Sequence, residues 1–531
     1  MNLGLTGQWL TGKIHFQVID WTNCAVPTLR IPGGPLPLAI GLDPDAEVPL
    51  HVQLRDALRE AILSRRLAPG SRIPASRVLA ADLGCARGTV LLALEQLAAE
   101  GYLVARTGSG TRVAATLPED LAPPAPAPTG PVVLPPVLSR RGVALSASGP
   151  RAYLSGPEAP DAFALGRPAL DAFPFAVFAK LIQAEWRDGP PSAPHPLGLP
   201  ALRRAVAAYL AAGRGVACAP EDVIVTAGIR QSLRLLARLL LDPGEAAYVE
   251  DPGFPGIARA LAEAGLRPVP VPVGPGGLAV AAARALEPAA RLAVVTPAHH
   301  YPLGHAMSLE NRLDLLAWAR AAGGWIVEDD YDGAYRYAGR PLAPLRSLDR
   351  DGRVIYVGSF SKVLLPALQL SYLVLPPGLA EPVQRALAEA GPAPAGLGQG
   401  ALARFIAEGH LAAHLRRTRR LYALRQEALL AAAGRHADIL DVAPLAGGMH
   451  LVARPGPLWP SSLGDARAAA ACAAAGIAAV ALSAYHAGPA ANAAASPGLL
   501  LGYAAVPEPA MAPAVARMAA ALRGASAAPS A

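Results

Sequence analysis

Lysine is nearly absent from this 531-residue chain: Lys13, Lys180 and Lys362 are the three lysines among 47 basic residues. A chain that uses arginine almost everywhere keeps a lysine where a guanidinium cannot serve. Imine formation with an aldehyde is such a task, because it needs a primary amine able to lose its proton. Lys362, in the string Gly358-Ser359-Phe360-Ser361-Lys362, is therefore the first candidate for chemistry, while Lys13 and Lys180 read as ordinary surface lysines. Cysteine is scarce as well. Cys24, Cys85, Cys218 and Cys472 lie far apart with no paired spacing, which excludes a disulfide framework and a zinc site and fits a reducing cytoplasm. Residues 1–37 lack the apolar core of a secretory signal; they read as disordered, or as translated from a start placed too early. The longest uncharged stretch, after Arg467, is mostly alanine broken by Gly476, Gly488 and Pro489, too weakly apolar for a membrane span.

What is present points to a large globular protein. Hydrophobic residues make up 53% of the chain and charged residues 16%, enough to build two or three domains with sizeable cores. The net charge of +7 suits a polyanionic partner only if the charge is gathered in one place. Residues 115–160 form a proline-rich joint, with PPAPAPTGP followed by scattered Gly, Ser and Pro. That composition favours extended conformations and cannot form a core. It separates a small unit over 45–114 from a large one over 161–525.

In the small unit, Val52, Leu54, Ala57, Leu58, Ala61 and Ile62 recur at helical spacing. Pro69-Gly70 stops that helix, Ser76 is placed to cap a second running to Leu83, and Gly84 makes the turn into a third over Arg87–Ala99. Gly101 to Val104 and Gly108 to Thr111 then read as two short strands around a tight loop. Two helices joined by a glycine turn and followed by a hairpin form a winged helix-turn-helix. Nine arginines against five acids over residues 50–113 give this unit a charge suited to phosphate. The strings PLHVQLRDAL, LAPGSRIPASRVLAADLG, RGTV and ALEQLAAEGYLVARTGSGT resemble the GntR type of winged helix. The resemblance implies contacts to a double-stranded DNA operator from Arg77, Arg87, Thr89 and the wing residues Gly108, Ser109, Gly110, Thr111 and Arg112. Gly88, Leu91 and Leu92 stand where that family has polar or basic residues, so phosphate positioning is better supported here than base reading.

The large unit alternates short apolar runs with helical segments: Val223–Thr226, Ala246–Val249, Ala293–Thr296, Trp325–Glu328, Val354–Val357 and Tyr372–Leu375 read as strands buried on both faces. This predicts an α/β domain with a mostly parallel sheet, whose ligands bind beyond the carboxyl ends of its strands. The unusual residues fall at those ends. Gly228, Ile229 and Arg230 open a helix whose free amides suit a phosphate. Phe254, in Asp251-Pro252-Gly253-Phe254-Pro255, offers an aromatic face. Glu328-Asp329-Asp330-Tyr331 places three acids after an apolar run, which is costly unless a cation meets them; an ion pair at 4 Å gains roughly 4 kcal/mol before desolvation at an effective dielectric near 20. Ser359 and Lys362 supply a hydroxyl and an amine.

In that order these motifs resemble the fold-type I pyridoxal-phosphate aminotransferases from about Phe163 to the end. The resemblance implies pyridoxal 5'-phosphate as cofactor, with Lys362 forming a Schiff base and Asp329 holding the ring nitrogen protonated. Tyr331 would bond the ring hydroxyl, Phe254 would stack on the ring, and Gly228, Ile229, Arg230 and Ser359 would line the phosphate. Tyr301 occupies a position where many of these enzymes have asparagine. A GntR unit joined to such a domain resembles the MocR/GabR regulators over residues 45–525. It implies a cytoplasmic, homodimeric transcriptional regulator sensing pyridoxal phosphate or a small amine or amino-acid effector.

Two departures bear on this. Gln369, seven residues after Lys362, stands where an arginine for the cofactor phosphate is usual, and Arg230 stands where glutamine is common, so Arg230 is expected to replace the missing guanidinium. The final strand, Gly498 to Tyr503, carries leucine where aminotransferases have a carboxylate-binding arginine, which favours sensing over turnover. The alternatives are a genuine aminotransferase with an accessory DNA-binding unit, and a regulator that has lost the cofactor.

Overall fold

The computed structural model describes residues 28–29, 38–106, 110–117, 162–189, 193, 195–339, 342–390, 394–460, 462–487 and 497–527. The chain divides into two compact units, Met1–Val137 and Leu138–Ala531. Most of the proline-rich joint and of residues 1–37 lies outside the described residues. Within the latter, Thr28–Leu29 (β1) pairs antiparallel with Leu38–Ala39 (β2), a bridge the composition did not suggest.

In the small unit, α1 (Leu50–Leu63), α2 (Ser76–Asp82) and α3 (Arg87–Ala99) precede β3 (Leu103–Arg106) and β4 (Gly110–Val113). Leu54, Leu58, Ala61 and Ile62 of α1 fall at offsets of four, seven and eight. They are buried in one cluster with Val90, Ala93, Leu94 and Leu97 of α3, as an amphipathic pair requires. Ser76 does not cap α2. It is the first helical residue, preceded by Ala75, and no side chain caps the helix; the Ser76 hydroxyl instead accepts from Arg87 Nε at 3.3 Å. The hairpin begins two residues later than its sequence suggests, because Gly101, at φ +86°, ends α3 and Tyr102 is drawn into the core.

The large unit is built on a sheet ordered β5-β12-β11-β10-β9-β6-β7-β8. Its strands are β5 (Val223–Thr226), β6 (Ala246–Asp251), β7 (Arg267–Gly274), β8 (Gly277–Leu278), β9 (Leu292–Val295), β10 (Trp325–Asp330), β11 (Val354–Ser359) and β12 (Ser371–Val374). β12 and β8 run against their neighbours and the other pairings are parallel. Along β11, Ile355 and Val357 pack on one face with Leu233 and Leu236 of the helix Ile229–Leu240, whereas Val354 and Tyr356 enter clusters on the other. Burial on both faces explains why these strands read as unbroken apolar runs. A second, antiparallel sheet, ordered β13-β14-β16-β15, is formed by β13 (Leu440–Val442), β14 (His450–Pro455), β15 (Val480–Ala481) and β16 (Leu499–Gly502). Among the described residues no helix is long and apolar enough to cross a membrane.

Candidate functional site

Strands β5, β6, β9, β10 and β11 point the same way, and their carboxyl ends open on a cavity of about 620 Å³. Lys362, Asp329, Tyr331, Phe254, Ser359, Gly228, Ile229, Arg230 and Tyr301 all line it. Residues up to 134 positions apart, from Gly228 to Lys362, meet there because they lie at the carboxyl ends of strands or on the segments that follow them.

After β5, Gly228 adopts φ +130°, which an L side chain rarely tolerates, and starts the helix Ile229–Leu240. Gln231 Oε1 accepts from the Ala227 amide at 2.6 Å and tightens this turn. The first turn of any helix leaves N–H groups without intrahelical acceptors, so the turn has the donors that an anion cradle would need. A Cβ at Gly228 would meet nothing within 4 Å, so there is open space over the turn. Ser359 and Ser371 face each other across β11 and β12 with their hydroxyls 3.4 Å apart. Both line the cavity.

The three acids lie inside β10 rather than after it, and tertiary contacts separate their roles. Glu328 turns away from the cavity and accepts the Leu345 and Arg346 amides at 2.7 and 2.8 Å. Asp330 is held by the Arg214 guanidinium, by the Tyr356 hydroxyl and by the Gly333 amide. Burial works against the charge of Arg214, but Asp330 and Tyr356 more than offset it and raise its pKa. Asp329 alone of the three lines the large cavity. Burial, together with Asp330 and Asp332, pushes its pKa up to about 7, against the opposing charge of Lys362. A cation at Asp329 would relieve this. Lys362, on a single turn after β11, donates from Nζ to the Gly166 carbonyl at 3.3 Å. Burial lowers its pKa, partly opposed by Asp329 and Asp332, which favours the nucleophilic neutral amine.

Tyr331 and Tyr301 are fixed by partners that no local motif announces. The Tyr331 hydroxyl lies 3.0 Å from His299 Nδ1, which also lies 3.0 Å from Asp332 Oδ2. Tyr301 shares a hydroxyl contact of 3.1 Å with Tyr485 and meets Phe254, Tyr331 and His450 edge-on. Gly166, Thr296, Arg234, Ser361, Met449 and His450 also line the cavity and were not anticipated. Arg234 follows Arg230 by one turn and was legible in principle. Met449 and His450, at the start of β14, carry no local signal. Gln369 is exposed in the left-handed region at φ +46° and is not among the residues lining the cavity. Leu500 of β16 is fully buried with Val480, Leu482 and Tyr485, and Tyr301 packs against that cluster.

In the small unit, Arg77 and Arg87 are exposed on α2 and α3, and Thr89 is half-buried. Gly110, Thr111 and Arg112 form β4, while Gly108 and Ser109 lie outside the described residues. Arg112 Nη1 donates to the Gly70 carbonyl at 2.9 Å. Leu91 and Leu92 are 39% and 42% exposed on α3, an apolar surface in keeping with the poor base-reading face expected from these residues. The described cysteines, Cys85, Cys218 and Cys472, are free thiols, and burial raises the pKa of each. No group of residues suited to a metal occurs among the described residues.

Comparison with known proteins agrees with both halves. Residues 50–113 match the family described as bacterial regulatory proteins, gntR family, and residues 177–489 match aminotransferase class I and II. The chain is 44% identical over 419 residues to a probable rhizopine catabolism regulatory protein, MocR, of Rhizobium meliloti, covering 78% of this chain and 83% of that protein. It is 34% identical to the pyridoxine biosynthesis transcriptional regulator PdxR of Corynebacterium glutamicum, covering 78% and 85%. Among solved structures it is similar to LysN, an α-aminoadipate aminotransferase from Thermus thermophilus complexed with N-(5'-phosphopyridoxyl)-L-leucine. The TM-score is 0.63 at 27% identity, covering 73% of this chain and 99% of that one. The fold is also that of a Pyrococcus horikoshii kynurenine aminotransferase, with a TM-score of 0.63 at 23% identity over 73% and 97% of the two chains.

Proposed function

This chain belongs to the MocR-type transcriptional regulators, a GntR winged helix joined to a fold-type I aminotransferase domain, and we propose that it binds pyridoxal phosphate at Lys362 and uses it to sense a small amine. The observation that carries the reading is the convergence of an anion-binding turn, a buried carboxylate and a lysine of lowered pKa in one cavity. The residues fit the cofactor. Gly228, Ile229, Arg230 and Ser359 would hold its phosphate, Asp329 its ring nitrogen, Tyr331 its ring hydroxyl and Phe254 its face, with Tyr301 beside them. When bound, the cofactor supplies an aldehyde carbon reactive toward primary amines.

The protein's own contribution is placement and proton control. Lys362 is kept reactive by burial. Asp329 is poised to ionise once a cation arrives, because a positive charge at hydrogen-bond range favours the carboxylate. His299 and Asp332 fix the Tyr331 hydroxyl. Residues 45–114 would dock on an operator through Arg77, Arg87, Thr89 and the wing at 108–112, in the cytoplasm. The linker at 115–160 would join them to 161–525, the effector and dimerisation domain of a homodimer. A change of effector alters DNA binding only if it binds two conformations unequally. Leu499, Leu500 and Leu501 of β16 are all fully buried on the strand where aminotransferases have a carboxylate-binding arginine, which speaks against efficient turnover of amino acids, so enzymatic activity is at most a slow half-reaction.

The test is spectroscopic. Protein purified with pyridoxal phosphate and freed of excess is expected to show a visible band that borohydride converts to a stable adduct at Lys362. Lys362→Ala should lack both and still retard operator DNA. A colourless wild type that binds DNA would identify a regulator without cofactor. Rapid conversion of amino acids with no retarded DNA would identify an enzyme.

A further inference from the structure

The charges around the cavity identify the class of molecule that reaches Lys362, an inference that rests on the reading of this site as a pyridoxal-phosphate site. Among the described residues lining it, the charged side chains are Arg230, Arg234, Asp329 and Lys362. Both arginines project from the helix Ile229–Leu240, whose first turn is the anion cradle. Arg234 already pairs with Glu263, and Arg230 is adjacent to the cradle in sequence, so an anion held there takes its charge.

The other side of the cavity follows β6 and β9, separated from β5 in the sheet by β12, β11 and β10. There the lining is Phe254, Thr296, Tyr301, Met449 and His450. His450 is neutral near pH 7, since burial, with His299 adding to it, pulls its pKa down to about 4. Its Nε2 donates to the Pro302 carbonyl at 2.9 Å. Of the three leucines on β16, Leu500 is the one buried with Val480, Leu482 and Tyr485 in the cluster against which Tyr301 packs, whereas Leu499 and Leu501 enter a different cluster. A carboxylate carried into this side would lose its water and find no cation among these residues, and a buried unpaired charge is strongly disfavoured. Hydroxyls and apolar groups meet no such obstacle: the Tyr301 hydroxyl, which meets Tyr485 at 3.1 Å, keeps capacity for a second partner, and Phe254 and Met449 offer apolar surface, while the Thr296 hydroxyl is already engaged by Glu250 and the Tyr301 amide.

We propose that the effector sensed at Lys362 is a primary amine with no carboxylate on its amine-bearing carbon, and that Leu500 is the position that sets this preference. The exchange involves no oxidation. The incoming nitrogen takes the place of Lys362 Nζ on one carbon, and Nζ departs with the proton the incoming amine gives up, as a free amine that can donate to the Gly166 carbonyl.

The experiment uses the full-length protein loaded with pyridoxal phosphate. Borohydride adduct formation at Lys362 comes first, and its absence overturns the cofactor reading and this inference together. With the adduct established, the visible band is titrated with two matched pairs differing only in the carboxylate: 2-phenylethylamine against L-phenylalanine, and ethanolamine against L-serine. At least one amine is expected to shift the band at a concentration about tenfold or more below that of its amino acid, about one decade in apparent Kd. Leu500→Arg, where it retains the visible band, is expected to narrow or reverse that ratio. If the variant does not fold, the wild-type pairs decide alone. Equal or tighter response to the amino acids, or no response to any of the four compounds, overturns the proposal while leaving the attachment at Lys362 standing.

Discussion

Asp329→Asn should make the cofactor-free protein more stable at alkaline pH while removing the group proposed to hold the cofactor ring. Burial and the neighbouring Asp330 and Asp332 raise the Asp329 pKa from 3.8 to about 7. Between those values the folded protein keeps a proton that the unfolded chain has released, so stability falls as pH rises through the window. Above about pH 7 both states are ionised and the whole cost is present. A displacement of about three pH units corresponds to about 4 kcal/mol. Part of it is already present at pH 5, so the contrast between pH 5 and pH 8 is about 2–3 kcal/mol. Asparagine has the same shape and carries none of this cost. Urea unfolding of the cofactor-free protein at pH 5 and pH 8, followed by tryptophan fluorescence, is the assay. The variant should exceed wild type by more at pH 8 than at pH 5. Its cofactor, if bound at all, should dissociate faster. Equal gains at the two pH values, or none at pH 8, would refute the argument that a buried charge waits there for a cation.

Three further outcomes follow from the same geometry. Arg214→Met leaves Asp330 buried without its guanidinium and should cost about 3–5 kcal/mol, whereas Arg214→Met with Asp330→Leu should cost less than the single change; a double variant as unstable as the sum of its parts would deny the coupling. Arg230→Gln should weaken pyridoxal-phosphate affinity roughly tenfold to a hundredfold, the value of one charge-assisted bond, measured by equilibrium dialysis. An unchanged affinity would show that Arg230 does not stand in for the arginine absent at Gln369. Arg87→Ala, at the exposed start of α3, should lower affinity uniformly across DNA sequences and reduce the salt slope by about one, read by fluorescence anisotropy; a change confined to one sequence would mean that Arg87 reads a base.

The candidate site was legible wherever its chemistry sat in a short motif. A lysine kept in an arginine-rich chain, a glycine before a helix and acids beside an apolar run are local signals, and strand ends in a parallel sheet converge by topology, so Lys362, Asp329 and Gly228 were legible one by one. The winged helix was legible for a similar reason, since the periodicity of α1 and α3 specifies which faces must bury each other. The Ser76 cap failed because Ser76 lies one residue inside α2 and its hydroxyl meets Arg87, a choice between competing partners that local pattern does not rank.

Tertiary structure alone decided which acid does what. Glu328, Asp329 and Asp330 are consecutive in sequence, but the pleat and their surroundings give Glu328 to two backbone amides and Asp330 to Arg214, 116 positions away, and leave only Asp329 in the cavity. It likewise brought His299 to Tyr331 and placed Met449, His450 and the Leu500 cluster on the far side of the site. By itself the sequence determined the two kinds of domain and the reactive groups, because these depend on residue type and short-range spacing. Which groups are charged, paired or left without a counter-ion depends on burial and on neighbours more than a hundred residues away, and only the folded chain supplies both.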